Sequence, residues 1–214
     1  GYHSVCLSGI NITGGAPYII NLDPGYYDDF ILDYGWTNSG TSGNLWERAI
    51  PVGTYTNGGT PANPSVDVTG DCGTLCYVTD NGGGGPWDND VDNGSATLTS
   101  PPFDATLYTN PVVNYFRWYY DGGTTNGAPN DTMKIYLSNG ITTALLETAK
   151  PSTSNNSQWV QSSFIISNYL TLTNNMRLIM TVSDSAPISN IVEGGLDKFE
   201  ITGVLGVNNH LKNS

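Results

Sequence analysis

The chain has 214 residues and a formal net charge of −12, with 26 glycines, 12 prolines and 13 tyrosines but only 7 lysine and arginine residues. This acidic balance argues against nucleic acids and anionic membranes as partners, because both are bound through clustered basic side chains. Charged residues make up only 12% of the chain and turn-forming residues are frequent, which is typical of a β-rich extracellular protein rather than a helical cytosolic enzyme.

Short apolar runs separated by Gly, Asn, Asp and Pro recur about every ten to fifteen residues, which is the pattern of a β-sandwich. No stretch keeps a 3.6-residue hydrophobic period over eleven residues, so long helices are not expected. We therefore predict an all-β fold, a two-sheet antiparallel β-sandwich of the jelly-roll type. The predicted strands lie at residues 18–22, 30–32, 45–50, 75–79, 96–100, 112–120, 133–137, 159–166, 176–182 and 196–202.

The predicted organisation has three parts. Residues 1–24 are expected to form a leader whose short strand belongs to a preceding module, residues 25–204 the sandwich, and the polar residues 205–214 a linker. There is no apolar run of eighteen residues and no signal-peptide pattern. We therefore expect an internal piece of a longer secreted or cell-surface protein, without membrane insertion, whose partners include neighbouring domains of the same chain.

The three cysteines, Cys6, Cys72 and Cys76, give an odd count. A disulfide between Cys72 and Cys76 would close a small loop and leave Cys6 free or paired outside this chain; the sequence leaves this pairing open. A zinc site needs four ligands, and three cysteines with two histidines near the chain ends do not supply one.

Aspartate supplies fifteen of the nineteen acidic residues, and much of it is clustered. Clustered carboxylates repel one another unless a cation neutralises them, and hard oxygen ligands of this kind suit Ca²⁺. Asp88, Asp90 and Asp92 alternate ahead of a glycine as in calcium loops, although the downstream Glu and the flanking helices of an EF-hand are absent. The alternative is that these aspartates only begin turns and solvate loops.

Catalytic patterns are sparse in this sequence. Both histidines lie near the chain ends, and no Gly-x-Ser-x-Gly elbow occurs. Two carboxylates alone can hydrolyse glycosides, and Glu47, Glu193 and Asp197 are the candidates by elimination. Each has a structural explanation, since Glu47 can pair with an arginine and the other two flank a Gly-Gly turn. We expect no enzymatic activity in this chain.

The aromatic run 115–120 suggests a ligand surface. Strand alternation predicts that the even-numbered side chains face the core and that Tyr115, Arg117 and Tyr119 face outward. An arginine between two phenols can stack on a sugar ring and bind its hydroxyl groups. The alternative is a strand buried on both faces, with Arg117 paired to an acid such as Asp131.

Trp87 follows a run of glycines and a proline, in what is predicted to be a mobile loop. We predict that this side chain is exposed, because a sandwich core seldom hides five tryptophans. An exposed indole can stack on a glycan or on a protein surface. The alternative is that Trp87 packs down and caps its loop.

Several motifs are shared with a known type of domain: Leu45-Trp-Glu-Arg48, Asp90-Val-Asp-Asn-Gly94, Tyr115-Phe-Arg-Trp-Tyr119 and Leu196-Asp-Lys-Phe199. In these stretches the chain resembles, from about residue 30 to 203, a MAM-like jelly-roll accessory domain of secreted Bacteroidetes-type proteins. Such domains are often appended to zinc carboxypeptidases or other peptidases. Lys198 departs from the pattern, which has a second acid at that position.

The resemblance implies structural calcium and no catalysis. In the resembled fold the first and last strands run side by side, which would bring Asp28 or Asp29 near Asp197, and the loop 88–93 would fold over the same edge. The predicted calcium ligands are Asp28, Asp29, Asp88, Asp90, Asp92 and Asp197. The expected function is a non-catalytic module for adhesion or substrate targeting; the alternatives are a carbohydrate-binding module and a structural spacer of a peptidase.

Overall fold

The computed structural model describes residues 3–7, 9–10, 14, 17–23, 25–123, 128–151, 157–185, 187–188 and 190–205. Within these residues the chain forms eleven strands and two three-residue 3-10 helices, at Ala105–Leu107 and Ile166–Asn168. The strands are β1 (Tyr26–Asp28), β2 (Thr37–Gly40), β3 (Trp46–Ala49), β4 (Cys76–Thr79), β5 (Gly94–Thr99), β6 (Tyr108–Gly122), β7 (Thr132–Ser138), β8 (Thr143–Ala149), β9 (Val160–Ile165), β10 (Arg177–Asp184) and β11 (Ile191–Leu205).

The strands form two antiparallel sheets, which confirms the predicted β-sandwich. The six-stranded sheet has the order β3-β4-β11-β6-β9, with β1 also paired to β11, and the five-stranded sheet has the order β2-β5-β10-β7-β8. The long strand β11 pairs with β6 along one side and with β4 and β1, one after the other, along its other side. First and last strands therefore lie side by side.

The two sheets bury their strands differently. In β10 every second residue is buried, as expected for a sheet with one face on the core. By contrast β6 and β11 are buried almost continuously, because the segment before β4 covers the outer face of the six-stranded sheet. That cover is held by two indoles: Trp118 donates to the Ala62 carbonyl at 2.7 Å and Trp159 to the Val66 carbonyl at 2.9 Å.

The predicted faces of the run 115–120 were therefore wrong. Tyr115 and Tyr119 are fully buried in the core between the sheets. Phe116 is partly exposed and Trp118 packs under the covering segment. Aromatic residues occupy both faces of this strand, so alternation alone could not tell the inner face from the covered outer one.

The cysteines pair differently from the short loop considered above. Cys6 is disulfide-bonded to Cys72, which fastens the N-terminal segment to the sandwich, and Cys76 is a free thiol buried in β4. The predicted strand at 18–22 is absent and its side chains are exposed. Of the predicted linker, residues 206–214 lie outside the described part of the chain. No helix among the described residues is long and apolar enough to cross a membrane.

Candidate functional site

Three carboxylates converge beside β11. One oxygen each from Asp67, Asp71 and Asp197 lies within 4.8 Å of the others, and we call this group the acid triad. Asp197 is fully buried and accepts hydrogen bonds from the backbone N–H of Val68 and of Lys198, each at 2.8 Å. A bulge in β11 just after Asp197, with Lys198 at a φ of 49°, re-aims the strand at this point.

The charges of the acid triad are poorly compensated by the protein. Burial is the main cause that raises the pKa of Asp197 to about 8, and nearby Asp71 adds to it. Burial and then Asp67 raise the pKa of Asp71 to about 6, against the lowering effect of Lys198. One oxygen of Asp71 is buried without a hydrogen-bond partner. Convergent carboxylates with a free buried oxygen have the chemistry of a Ca²⁺ site, so these residues fit the ion that the resemblance implies.

Of the two acids predicted near Asp197, Asp28 at the end of β1 and Asp29 directly after it, only one adjoins the triad. Asp28 gives both oxygens to protein donors, the backbone N–H of Phe30 at 2.9 Å and the indole of Trp36 at 2.7 Å. Asp29 accepts from the Ser4 hydroxyl and lies close enough to raise the pKa of Asp71. Asp28 therefore has a structural role, and Asp29 lies next to the triad.

The loop 88–92 does not join the triad. Asp88 is exposed and closes a turn by accepting from the Gly85 N–H at 2.7 Å, and Asp92 is exposed as well. Asp90 is buried and accepts from the N–H of Val192 at 3.3 Å. Val192 and Asp197 are five residues apart on β11, roughly 16 Å at about 3.3 Å per residue. The predicted ligands are thus divided between two places instead of meeting at one.

Asp90 belongs to a second group, which we call the acid pocket: Asp90, Asp121, Asp131, Asp184 and Asn190, all buried. Asp121 lies at the end of β6 and Asp184 at the end of β10, Asp131 and Asn190 directly precede β7 and β11, and Asp90 lies in the loop ahead of β5. Burial is the main cause that raises the pKa of Asp90 to about 7 and of Asp121 to about 6.

The residues predicted to form an outward-facing sugar surface are interior. Arg117 forms an ion pair of 2.6 Å with Glu147 of β8, which also accepts from the Tyr115 hydroxyl at 3.1 Å and from Ser162 at 2.8 Å. Tyr119 is fully buried. This network joins the two sheets, so the predicted surface is wrong, and the partner of Arg117 is Glu147 instead of Asp131.

Trp87 is exposed as predicted, with 42% of its surface accessible. It lies in a groove of about 350 Å³, which we call the Trp87 groove. Its walls are Thr56, Asn57, Gly58, Pro86, Trp87, Gly123 and Ile191. The groove therefore combines a flat aromatic ring with amide and hydroxyl groups.

A second groove, of about 430 Å³, crosses the outer face of the six-stranded sheet. Four neighbouring strands line it, and its residues are Tyr27, Gly70, Asn114, Phe116, Gln161, Lys198 and Glu200. The Lys198 ammonium lies 5.7 Å from the centroid of the Phe116 ring. This groove was not predicted from the sequence, because Phe116 was assigned to the core.

No family model matches this sequence, and no curated protein matches it either. The resemblance to a MAM-like domain therefore stays a prediction.

One solved structure with a similar fold is a family 11 carbohydrate-binding module from Clostridium thermocellum in complex with a β-1,3-1,4-mixed-linked tetrasaccharide. It has 12% sequence identity and a TM-score of 0.44, and the match covers 83% of this chain and 94% of that chain. Another is the K1 cleaved adhesin domain of Lys-gingipain from Porphyromonas gingivalis W83, with 14% identity, a TM-score of 0.45 and coverage of 84% and 98%. TmCBM61 in complex with β-1,4-galactotriose has 12% identity, a TM-score of 0.46 and coverage of 79% and 89%. Scores this low transfer no ligand to this chain.

Two of the three candidate catalytic acids are buried, so a substrate does not reach them. Glu193 and Asp197 have no exposed surface, and Glu193 accepts from the Thr79 hydroxyl at 2.6 Å. Glu47 is exposed on β3. A general acid must come within hydrogen-bond reach of the bond that it cleaves, so a pair that includes either buried acid cannot act from this arrangement.

Proposed function

We propose that this chain is a non-catalytic accessory module of a larger secreted or cell-surface protein, and that it mediates adhesion or substrate targeting by binding a neutral glycan. The Trp87 groove carries this proposal. Sugar rings stack their C–H faces on an indole, and the amide of Asn57 and the hydroxyl of Thr56 can bind sugar hydroxyl groups. The net charge of −12 disfavours acidic glycans.

The proposal includes one structural Ca²⁺ at the acid triad. Asp67, Asp71 and Asp197 would hold it, which replaces most of the ligand set expected from the sequence. When bound, the ion supplies positive charge that offsets the repulsion among three carboxylates. The loop that carries Asp67 and Asp71 already contacts β11 through the bond from Val68 to Asp197, and the ion would tighten that contact.

A glycan array followed by calorimetry on the bound glycan tests the binding proposal. Trp87→Ala is expected to lower the affinity about 5- to 150-fold, if the loss of a stacked sugar ring is taken to be like that of a stacked base, on the order of 1–3 kcal/mol. Trp87→Phe should retain part of the affinity. Tyr169→Ala is the matched control, since Tyr169 is an exposed aromatic residue that does not line the groove.

Two outcomes would contradict the proposal. One is a chain that binds no glycan on the array, which would favour the structural spacer. The other is unchanged affinity in Trp87→Ala with lost affinity in Phe116→Ala, which would move the glycan to the groove across the six-stranded sheet.

A further inference from the structure

The members of the acid pocket share an unusual arrangement of hydrogen bonds. One oxygen of Asp90 accepts from the Val192 N–H, and its other oxygen, Oδ1, is buried with no donor. In the same way Asp184 accepts from the Asn93 N–H at 2.9 Å through Oδ2, while its Oδ1 is buried and has no donor. Each carboxylate is thus held by a donor at one end and lacks a donor at the other, and the Asp184 carboxyl also lies within hydrogen-bond reach of the Asp131 carboxyl.

Asn190 repeats this arrangement with an amide. It is 1% exposed, and its Nδ2 donates to the carboxylates of Asp121 and of Asp131, the latter at 2.9 Å. These two bonds fix which end of the amide is nitrogen, so its oxygen, Oδ1, points elsewhere and is buried without a donor. Asp131 is itself fixed by the Ser185 N–H at 2.8 Å.

Free oxygens of this kind are costly in a folded protein. A buried polar group without a partner destabilises the fold, and here three lie within one group of neighbouring acids. Asp184 and Asp92 each raise the pKa of Asp90, so the carboxylates act on one another. Arg117 lies outside the pocket and pairs with Glu147, and Lys150 lines the cavity that reaches Asp121 and Asp131.

We propose that the acid pocket is a second site for a divalent cation, of the hard, oxygen-preferring kind represented by Ca²⁺. Asp90, Asp184 and Asn190 offer it their free oxygens. Asp121 and Asp131 orient Asn190, in the way that outer partners orient metal ligands. A single ion would satisfy all three oxygens and offset the repulsion among the acids.

An open cavity adjoins the pocket on the side of the two acids that orient Asn190. A cavity of about 550 Å³ reaches Asp121 and Asp131 and is also lined by Asn130, Thr132 and Lys150. The site shares no residue with the acid triad, so it stands or falls independently of the calcium in the proposed function. Of its three ligands the sequence predicted only Asp90, because Asn190 is unremarkable there and Asp184 ends an ordinary apolar strand.

The test uses backbone amides of the wild-type chain as reporters, in an NMR titration of the EDTA-treated protein with CaCl₂. The N–H groups of Asn93, Ser185 and Val192 donate to acids of the pocket, and those of Val68 and Lys198 donate to Asp197 of the triad. We expect all three pocket amides to shift together along one saturable binding curve, with sub-millimolar affinity.

Asp184→Asn should raise the Kd reported by the Asn93 and Val192 amides at least tenfold, and Asp33→Asn, an exposed acid, should leave it unchanged. Unchanged chemical shifts of the pocket amides, with changed shifts of the triad amides, would overturn this inference. The reverse result, pocket amides that shift while Val68 and Lys198 do not, would support the pocket and remove the calcium from the acid triad. Because the titration needs no variant, a substitution that fails to fold does not affect the result.

Discussion

Asp28 in β1 is a buried carboxylate that serves the fold, since both of its oxygens accept hydrogen bonds from Phe30 and Trp36. Burial raises its pKa from 3.8 to about 6, more than these two bonds lower it. The folded state therefore holds a proton on Asp28 at pH values where the unfolded chain has released it. The stabilising contribution of this raised pKa is complete below about pH 4 and is lost as the pH rises through 6.

We predict that the wild type loses stability relative to Asp28→Asn as the pH rises from 4 to 7.5. The expected change is on the order of 2 kcal/mol, because each unit of pKa shift corresponds to about 1.4 kcal/mol. Urea unfolding of both proteins at several pH values measures it. A difference in unfolding free energy that is constant across this range would show that Asp28 titrates normally.

The segment that carries Asp67 and Asp71 is an element without strand or helix, held to the sandwich at a few points. The disulfide between Cys6 and Cys72 joins it to the N-terminal segment, and Val68 donates to Asp197. An ion bound by the triad would offset the mutual repulsion of the three carboxylates and would hold this segment more firmly against β11.

We predict that Ca²⁺ raises the Tm of the Asp184→Asn variant by several degrees, roughly 5–10 °C at about 100 times its Kd. This background is chosen so that the acid pocket contributes little. Adding Asp197→Asn should abolish the shift, whereas adding Asp33→Asn should preserve it. Thermal unfolding with CaCl₂ or EDTA makes the comparison, and an equal calcium shift in the Asp197→Asn variant would contradict a triad site.

The strands that the sequence revealed are those with a clear apolar pattern, such as β7 and β10. It missed β2, because Thr37–Gly40 is an exposed edge strand with no apolar residue, and it missed β8, which is also an edge strand. The region 30–32 was predicted as a strand but is a bend, since the apolar Phe30 packs into the core from a loop.

At the scale of the whole molecule, acidic clustering could be read from the sequence but its geometry could not. Asp197 meets Asp67 across 130 positions of sequence, and Asn190 meets Asp121 across 69. The separation of two residues along the chain does not predict that they lie close together in the fold. In this chain their proximity depends on which strands pair with β11. Trp87 was the exception, because the glycines before it and its place between strands were enough to predict its exposure.

The acid pocket and the Trp87 groove share two pieces of chain. Trp87 and Asp90 belong to the same loop, and Ile191, which lines the groove, lies between Asn190 and Val192. An ion that fixes the pocket would therefore also fix the two walls of the groove, and a glycan would meet a surface that is already ordered. Both proposals above are needed for this coupling.

We predict that Ca²⁺ tightens glycan binding by about 5- to 30-fold, a coupling of about 1–2 kcal/mol. In CaCl₂ the Asp184→Asn variant should bind the glycan only as tightly as the wild type does in EDTA. The Asp197→Asn variant should keep the calcium effect on glycan affinity, because the triad lies further along β11. Calorimetry of the glycan with and without CaCl₂ measures the coupling in one direction. Thermodynamic linkage requires the same factor in the opposite direction, so saturating glycan should raise the Ca²⁺ affinity of the acid pocket by the same factor. Equal glycan affinity in CaCl₂ and EDTA would show that the ion leaves the groove as it is.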